Sequence, residues 1–98
     1  MIAYYWSQEG LQNFKDLLDG SSTANANLLK EEFAKGLFYV RKFPQMGQPF
    51  KVKGVSLNRK TTKRCVLITR YDAARNEVEI LGFYYQRSHY TPLIEALV

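Results

Sequence analysis

The order of hydrophobic patterns predicts an α+β fold. It reads as an N-terminal strand, a helical hairpin, then a three-stranded antiparallel meander forming a small sheet (β-α-α-β-β-β with a short C-terminal helix). Two observations carry this. Apolar residues recur at helical spacing from Leu11 to Val40, then change to alternation and short apolar runs after the turn-rich stretch Pro44 to Pro49. The loops between the later runs are short, which favours antiparallel neighbours.

Ile2 to Trp6 is short, apolar and aromatic, as a strand requires. Ser7 sits where a helix N-cap belongs, Leu11, Phe14, Leu17 and Leu18 follow at helical spacing, and Gly20 closes the segment. Ser22 or Thr23 caps a second helix, with Leu29, Phe33, Leu37 and Val40 on one face and Lys30, Glu31 and Lys35 off it. That helix cannot easily run into Pro44, so its end is expected near Lys42. Phe50 to Leu57 alternates as a strand, with Gly54 as a candidate bulge, and Asn58 to Arg64 reads as a polar basic loop. Cys65 to Ile68 is a continuous apolar run, the mark of a central strand, and Asp72 to Asn76 is the next turn. Val78, Ile80 and Gly82 alternate with Glu77, Glu79 and Leu81 in a strand that continues to Tyr85. Thr91 and Pro92 open a short terminal helix carrying Leu93, Ile94 and Leu97. Trp6, Phe14, Phe33, Phe38 and Cys65 are expected in the core.

A chain of 98 residues with 46% hydrophobic content is expected to form one domain, residues 1–98, with a real core. A lone cysteine, Cys65, excludes an intramolecular disulfide and a zinc cluster, and suits a reducing cytoplasm. No apolar run approaches the ~18–20 residues that span a bilayer, and the N-terminus lacks the order of a signal peptide. A cytoplasmic location with no membrane partner is the expectation.

Charge is distributed unevenly. From Arg41 to Arg70 there are nine basic residues and no acid: Arg41, Lys42, Lys51, Lys53, Arg59, Lys60, Lys63, Arg64 and Arg70. The net charge of +5 is therefore a local excess, and its field attracts a polyanion: nucleic acid, an acidic protein segment or a membrane surface.

Two motifs, in this order and at this length, resemble the RelE/ParE family of bacterial toxins. One is the turn Phe43-Pro44-Gln45-Met46-Gly47 after two helices; the other is the last strand, Val78 to Arg87, which ends in aromatics and an arginine. The resemblance implies the toxin of a type II toxin–antitoxin pair, neutralised by a partly disordered cognate antitoxin in a hetero-oligomer. RelE-like members cut messenger RNA on the ribosome. ParE-like members poison DNA gyrase and cut nothing themselves. No cofactor or metal is implied.

A metal-independent ribonuclease needs a base for the ribose 2′-hydroxyl, cations for the charged phosphorane and an acid for the leaving oxygen. Lys51, Lys53, Arg64 and Arg87 could supply cations along one groove, Lys51 and Lys53 sharing a strand face. The base is the weak point. Where the family often carries His or Arg, two positions before the motif arginine, this chain has Tyr85, a residue type that keeps its proton at neutral pH. Tyr85 can stack on a base instead, and His89 is the only imidazole that could stand in. The departure favours the ParE-like reading, gyrase poisoning by binding, with Arg59, Lys60, Lys63, Arg64, Arg70, Tyr84, Arg87, Tyr90, Leu93 and Leu97 as the residues that contact the target or the antitoxin. The alternatives are a RelE-like endonuclease using Lys51, Lys53, Arg64, Tyr85, Arg87 and His89, and a non-toxic nucleic-acid-binding module. The apolar tail Leu93 to Val98 either closes the open sheet face or leaves a groove for an antitoxin helix.

Overall fold

The computed structural model describes residues 1–97; Val98, the last residue of the apolar tail, lies outside them. The elements run β1 (Ala3–Trp6), α1 (Gln8–Asp19), α2 (Thr23–Lys42), β2 (Gln48–Val52), β3 (Val55–Thr61), β4 (Cys65–Asp72), β5 (Glu77–Tyr85) and α3 (Thr91–Leu97). One mixed sheet has the order β1-β5-β4-β3-β2. β2 to β5 form an antiparallel meander, and β1 lies parallel to β5, with Ala3 opposite Glu77 and Trp6 opposite Ile80. The α+β class matches the sequence reading, the element order does so but for one extra strand, and the apolar run Cys65 to Ile68 is indeed in the central strand.

The meander has four strands rather than three. The alternating run Phe50 to Leu57 is two strands joined at Lys53 and Gly54, whose φ values are +51° and +81°. Two consecutive residues with positive φ form the type I′ turn that suits the twist of a tight hairpin. Gly54 is therefore a turn residue and not a bulge. The loop read over Asn58 to Arg64 shrinks to Thr62–Arg64, because β3 continues to Thr61. Lysine pays a steric penalty at positive φ that asparagine largely escapes. Lys53→Asn is expected to raise stability by about 0.5–1 kcal/mol in urea unfolding; no gain would contradict the turn type.

The bulge lies in β5. Ile68 pairs with Gly82 and Thr69 with Ile80, so Leu81 is the extra residue. An inserted residue reverses the facing of everything beyond it. Val78 and Ile80 face the helices, Leu81 and Tyr84 face away, and Phe83 and Tyr85 return to the helix side. This switch carries Tyr85 under α2 at the end of the sheet.

Both faces of the sheet are covered. On one, Leu29 and Val40 from α2 pack with Cys65, Leu67, Val78, Ile80 and Phe83, and the rings of Trp6, Phe14 and Phe33 stack beside them. Burial pushes the Cys65 thiol up to about 11, so it is an inert core residue. On the other face, Val52, Leu57, Val66, Ile68, Leu81 and Tyr84 are closed over by Ile94 of α3, with Leu97 packed against them. Through Ile94 and Leu97, α3 therefore closes the open face. Phe38, expected in the core, is 57% exposed. It follows Leu37 by one residue, about 100° around the helix, and so points off the buried stripe.

The helix ends follow local chemistry. Ser7 Oγ accepts from the Gly10 amide at 3.0 Å, and Ser22 Oγ from the Asn25 amide at 3.2 Å. α2 stops at Lys42, two residues before Pro44. Gly10 brings α1 directly onto the bulge: a Cβ there would lie 2.8 Å from both the Ile80 and Leu81 carbonyl oxygens. Those oxygens belong to backbone and cannot move aside cheaply. Gly10→Ala is expected to cost about 1–3 kcal/mol in urea unfolding despite alanine's better helix propensity; a neutral result would contradict this packing.

Candidate functional site: a cationic cleft at the end of the sheet

β3 ends, β4 begins and β5 ends at the same edge of the molecule. The β3–β4 loop and the segment after β5 therefore meet there, beside the first half of α2. Between them opens a cleft of about 540 Å³ lined by Lys63, Arg64, Tyr85, Gln86 and Arg87. Three of those five residues are cationic and none is a carboxylate. Gln86 holds the walls together: its backbone N–H donates to the Arg64 carbonyl at 3.0 Å, and its Nε2 to the Thr62 and Cys65 carbonyls at 2.8 and 3.2 Å.

Glu32 organises the loop from behind. Its Oε1 accepts from Thr62 Oγ1 at 2.8 Å and from the Arg64 amide at 2.9 Å, and its Oε2 accepts from Arg64 Nε at 2.8 Å. Burial works against the charge on this carboxylate, whose side chain is 12% exposed. Hydrogen bonds from the Arg64 backbone and side chain and from Thr62 outweigh that penalty, so its pKa lies below the ordinary glutamate value. The same bonds raise the pKa of Arg64, which stays charged.

Arg64 reaches further. Its Nη1 donates to Asn25 Oδ1 at 2.8 Å, and Asn25 Nδ2 donates to the Tyr85 hydroxyl oxygen at 3.0 Å. The phenol oxygen is therefore already an acceptor, and what Tyr85 can offer the cleft is its proton. Two smaller grooves extend the basic surface along α2: Lys63 lines both, Lys35 joins it in each, and Lys60 sits 4.0 Å over the Tyr39 ring.

Of the residues named from sequence, Lys63, Arg64, Tyr85 and Arg87 come together in this cleft, with Lys60 on the adjoining groove. The others do not. Lys51 is on the edge strand β2 opposite Ser56, and Lys53 is at the hairpin turn, so the two share no strand face. At ~3.3 Å per residue along the strand, Ser56 lies roughly 20 Å from Thr62, which removes both lysines from the cleft. Arg70 is six residues from Arg64 and forms an ion pair with Glu79 across β4 and β5. Arg59 lies on the opposite sheet face, its guanidinium 4.6 Å over the Phe50 ring and donating to the Tyr90 hydroxyl at 3.2 Å. Tyr84 is 5% exposed and stacks on Tyr90, so it is core and not a contact surface; its burial raises the phenol pKa. Leu97 packs inward and Leu93 is exposed, both on α3. His89 is exposed outside the cleft lining.

Asn25 and Glu32 were missed by sequence reasoning. They lie seven residues apart on α2, both flanking the apolar stripe on the same side, and that repeat of polar residues beside a buried face was the available signal. Among the described residues, no group of three or more His, Cys, Asp or Glu side chains is placed to hold a metal. No helix among them is long and apolar enough to cross a membrane.

No family model and no curated protein matches the chain. Among solved structures, it is similar to a chain of the toxin–antitoxin complex RelBE2 from Mycobacterium tuberculosis. The TM-score is 0.56 at 18% identity, covering 87% of this chain and 98% of that one. At that identity the likeness shows a shared fold.

Proposed function

We propose that this chain is the toxin of a type II toxin–antitoxin pair, ParE-like in action, which arrests growth by binding DNA gyrase and is neutralised by a cognate antitoxin in the cytoplasm. The fold it shares with a chain of the RelBE2 toxin–antitoxin complex supports the toxin role. One observation carries the choice of binding over cutting. The cleft offers three cations and a phenolic proton, but no imidazole or carboxylate among its lining residues that could take a proton from a ribose hydroxyl. Such a surface can grip an anionic target without cleaving it.

A RelE-like ribosome-dependent endonuclease is the second reading. It is favoured by the meeting of Arg64, Tyr85 and Arg87 in one cleft. Inducing the chain in growing bacteria separates the possibilities. Growth is expected to stop with transcripts intact. Transcript cuts that disappear in the Arg87→Ala variant would favour the second reading, and unimpaired growth would contradict the toxin role altogether.

A further inference from the structure

We propose that Asn25, locked by Arg64 and Ser21, is a positioning residue that turns the Tyr85 hydroxyl into a hydrogen-bond donor for a phosphate group held in the cleft. This inference rests on the reading of the cleft as the target-binding surface and, with gyrase as the target, places the phosphate on the DNA that gyrase holds. The hydrogen-bond polarity is fixed from both sides. Ser21 Oγ donates to the Leu17 carbonyl at 2.9 Å, so its proton is spent and it can only accept from Asn25 Nδ2, at 3.2 Å. On the other side, a guanidinium has no acceptor, so Arg64 Nη1 must face Asn25 Oδ1. The amide of Asn25 therefore has one orientation, and its Nδ2 must also donate to Tyr85. The phenol oxygen is occupied, and its proton is left for the cleft.

The ligand class follows from the charges. Lys63, Arg64 and Arg87 line the cleft, and Glu32 offsets the charge of Arg64. About two uncompensated positive charges remain, beside a neutral donor. That set suits a phosphate, which accepts hydrogen bonds on several oxygens and carries more charge than a single carboxylate. Neither Asn25 nor Glu32 lines the cleft; they act on it through Tyr85 and Arg64.

Asn25→Asp tests the polarity without emptying the space. A carboxylate still accepts from Arg64, but it can no longer donate to Tyr85, whose hydroxyl turns inward to donate to it. The position is the third residue of α2, where an added negative charge suits the helix N-terminus, so the variant should unfold no earlier than wild type. The measurement is a titration of isotope-labelled protein with inorganic phosphate, following the amide signals of Lys63, Gln86 and Arg87 by NMR. Wild type, Asn25→Asp, Tyr85→Phe and the double variant form a cycle. Each single variant is expected to bind phosphate about tenfold more weakly, and the double variant no more weakly than either. Losses that add in the double variant would show that the new carboxylate acts by charge alone, and would overturn the positioning role. Acetate binding wild type as tightly as phosphate would overturn the ligand class. Phosphate that leaves wild type unmoved would overturn the cleft reading itself.

Discussion

Glu32→Ala is expected to destabilise the protein by about 2–3 kcal/mol, with the midpoint of thermal unfolding falling by roughly 10–20 °C. One carboxylate accepts three hydrogen bonds, two of them from groups that hold the β3–β4 loop against α2. Its removal strands the Arg64 amide, the Thr62 hydroxyl and one edge of a guanidinium. The loss stays below the ~3–5 kcal/mol of a fully buried broken pair because the Arg64 side chain is 36% exposed and water can reach it. A change under about 0.5 kcal/mol in urea unfolding would contradict the role given to Glu32.

The same residue sets an acid response. Its pKa is lower in the folded protein than the ordinary value of 4.5. The folded state therefore binds this proton less readily than the unfolded state. The stabilisation is complete above the ordinary value and is lost as pH falls through the lowered one. Wild-type stability should thus drop more steeply with acid than that of Glu32→Gln, which has no proton to take up there. Parallel curves for the two proteins below pH 4.5 would show that Glu32 is not held by these bonds.

The second large effect is on function. Arg87→Glu is expected to abolish growth arrest while leaving the unfolding free energy within about 0.5 kcal/mol of wild type. Arg87 is exposed, follows the end of β5 and lines the cleft. Reversal of its charge leaves the cleft with two cations, one of them already paired with Glu32. An anionic target then meets repulsion where it met attraction. Lys51→Glu, on the edge strand about 20 Å away, serves as the control of equal charge change. If both variants arrest growth as wild type does, the cleft is not the contact surface.

Much of the fold could be read from sequence where the signals were local. Ser7 and Ser22 capped helices, Pro44 lay just beyond the end of α2, and the unbroken run Cys65 to Ile68 marked the central strand. What escaped depended on backbone geometry or on distance. The Lys53–Gly54 turn was hidden because a two-residue turn leaves the alternation of Phe50, Val52, Val55 and Leu57 looking almost unbroken, and lysine at positive φ gives no turn signal. The Leu81 bulge was invisible because the surrounding residues are apolar on both faces of a doubly covered sheet. The parallel pairing of β1 with β5 joins residues more than seventy positions apart.

The site divides in the same way. Arg64, Tyr85 and Arg87 were named from the last-strand motif and its basic neighbourhood, and the fold brings them into one cleft. Lys51 and Lys53 were assigned to the same groove on strand spacing alone, and the hairpin turn between β2 and β3 separates them from it. Glu32 and Asn25 contact Arg64 from 32 and 39 residues earlier in the chain, a pairing that only the packing of α2 on the sheet makes visible.

The proposed target is tested most directly by a supercoiling and cleavage assay of DNA gyrase on plasmid DNA, run with purified wild-type protein and with Arg87→Glu. Wild type is expected to suppress supercoiling or accumulate broken DNA, and the variant to do neither. Gyrase that works normally with excess wild-type protein would contradict the ParE-like reading.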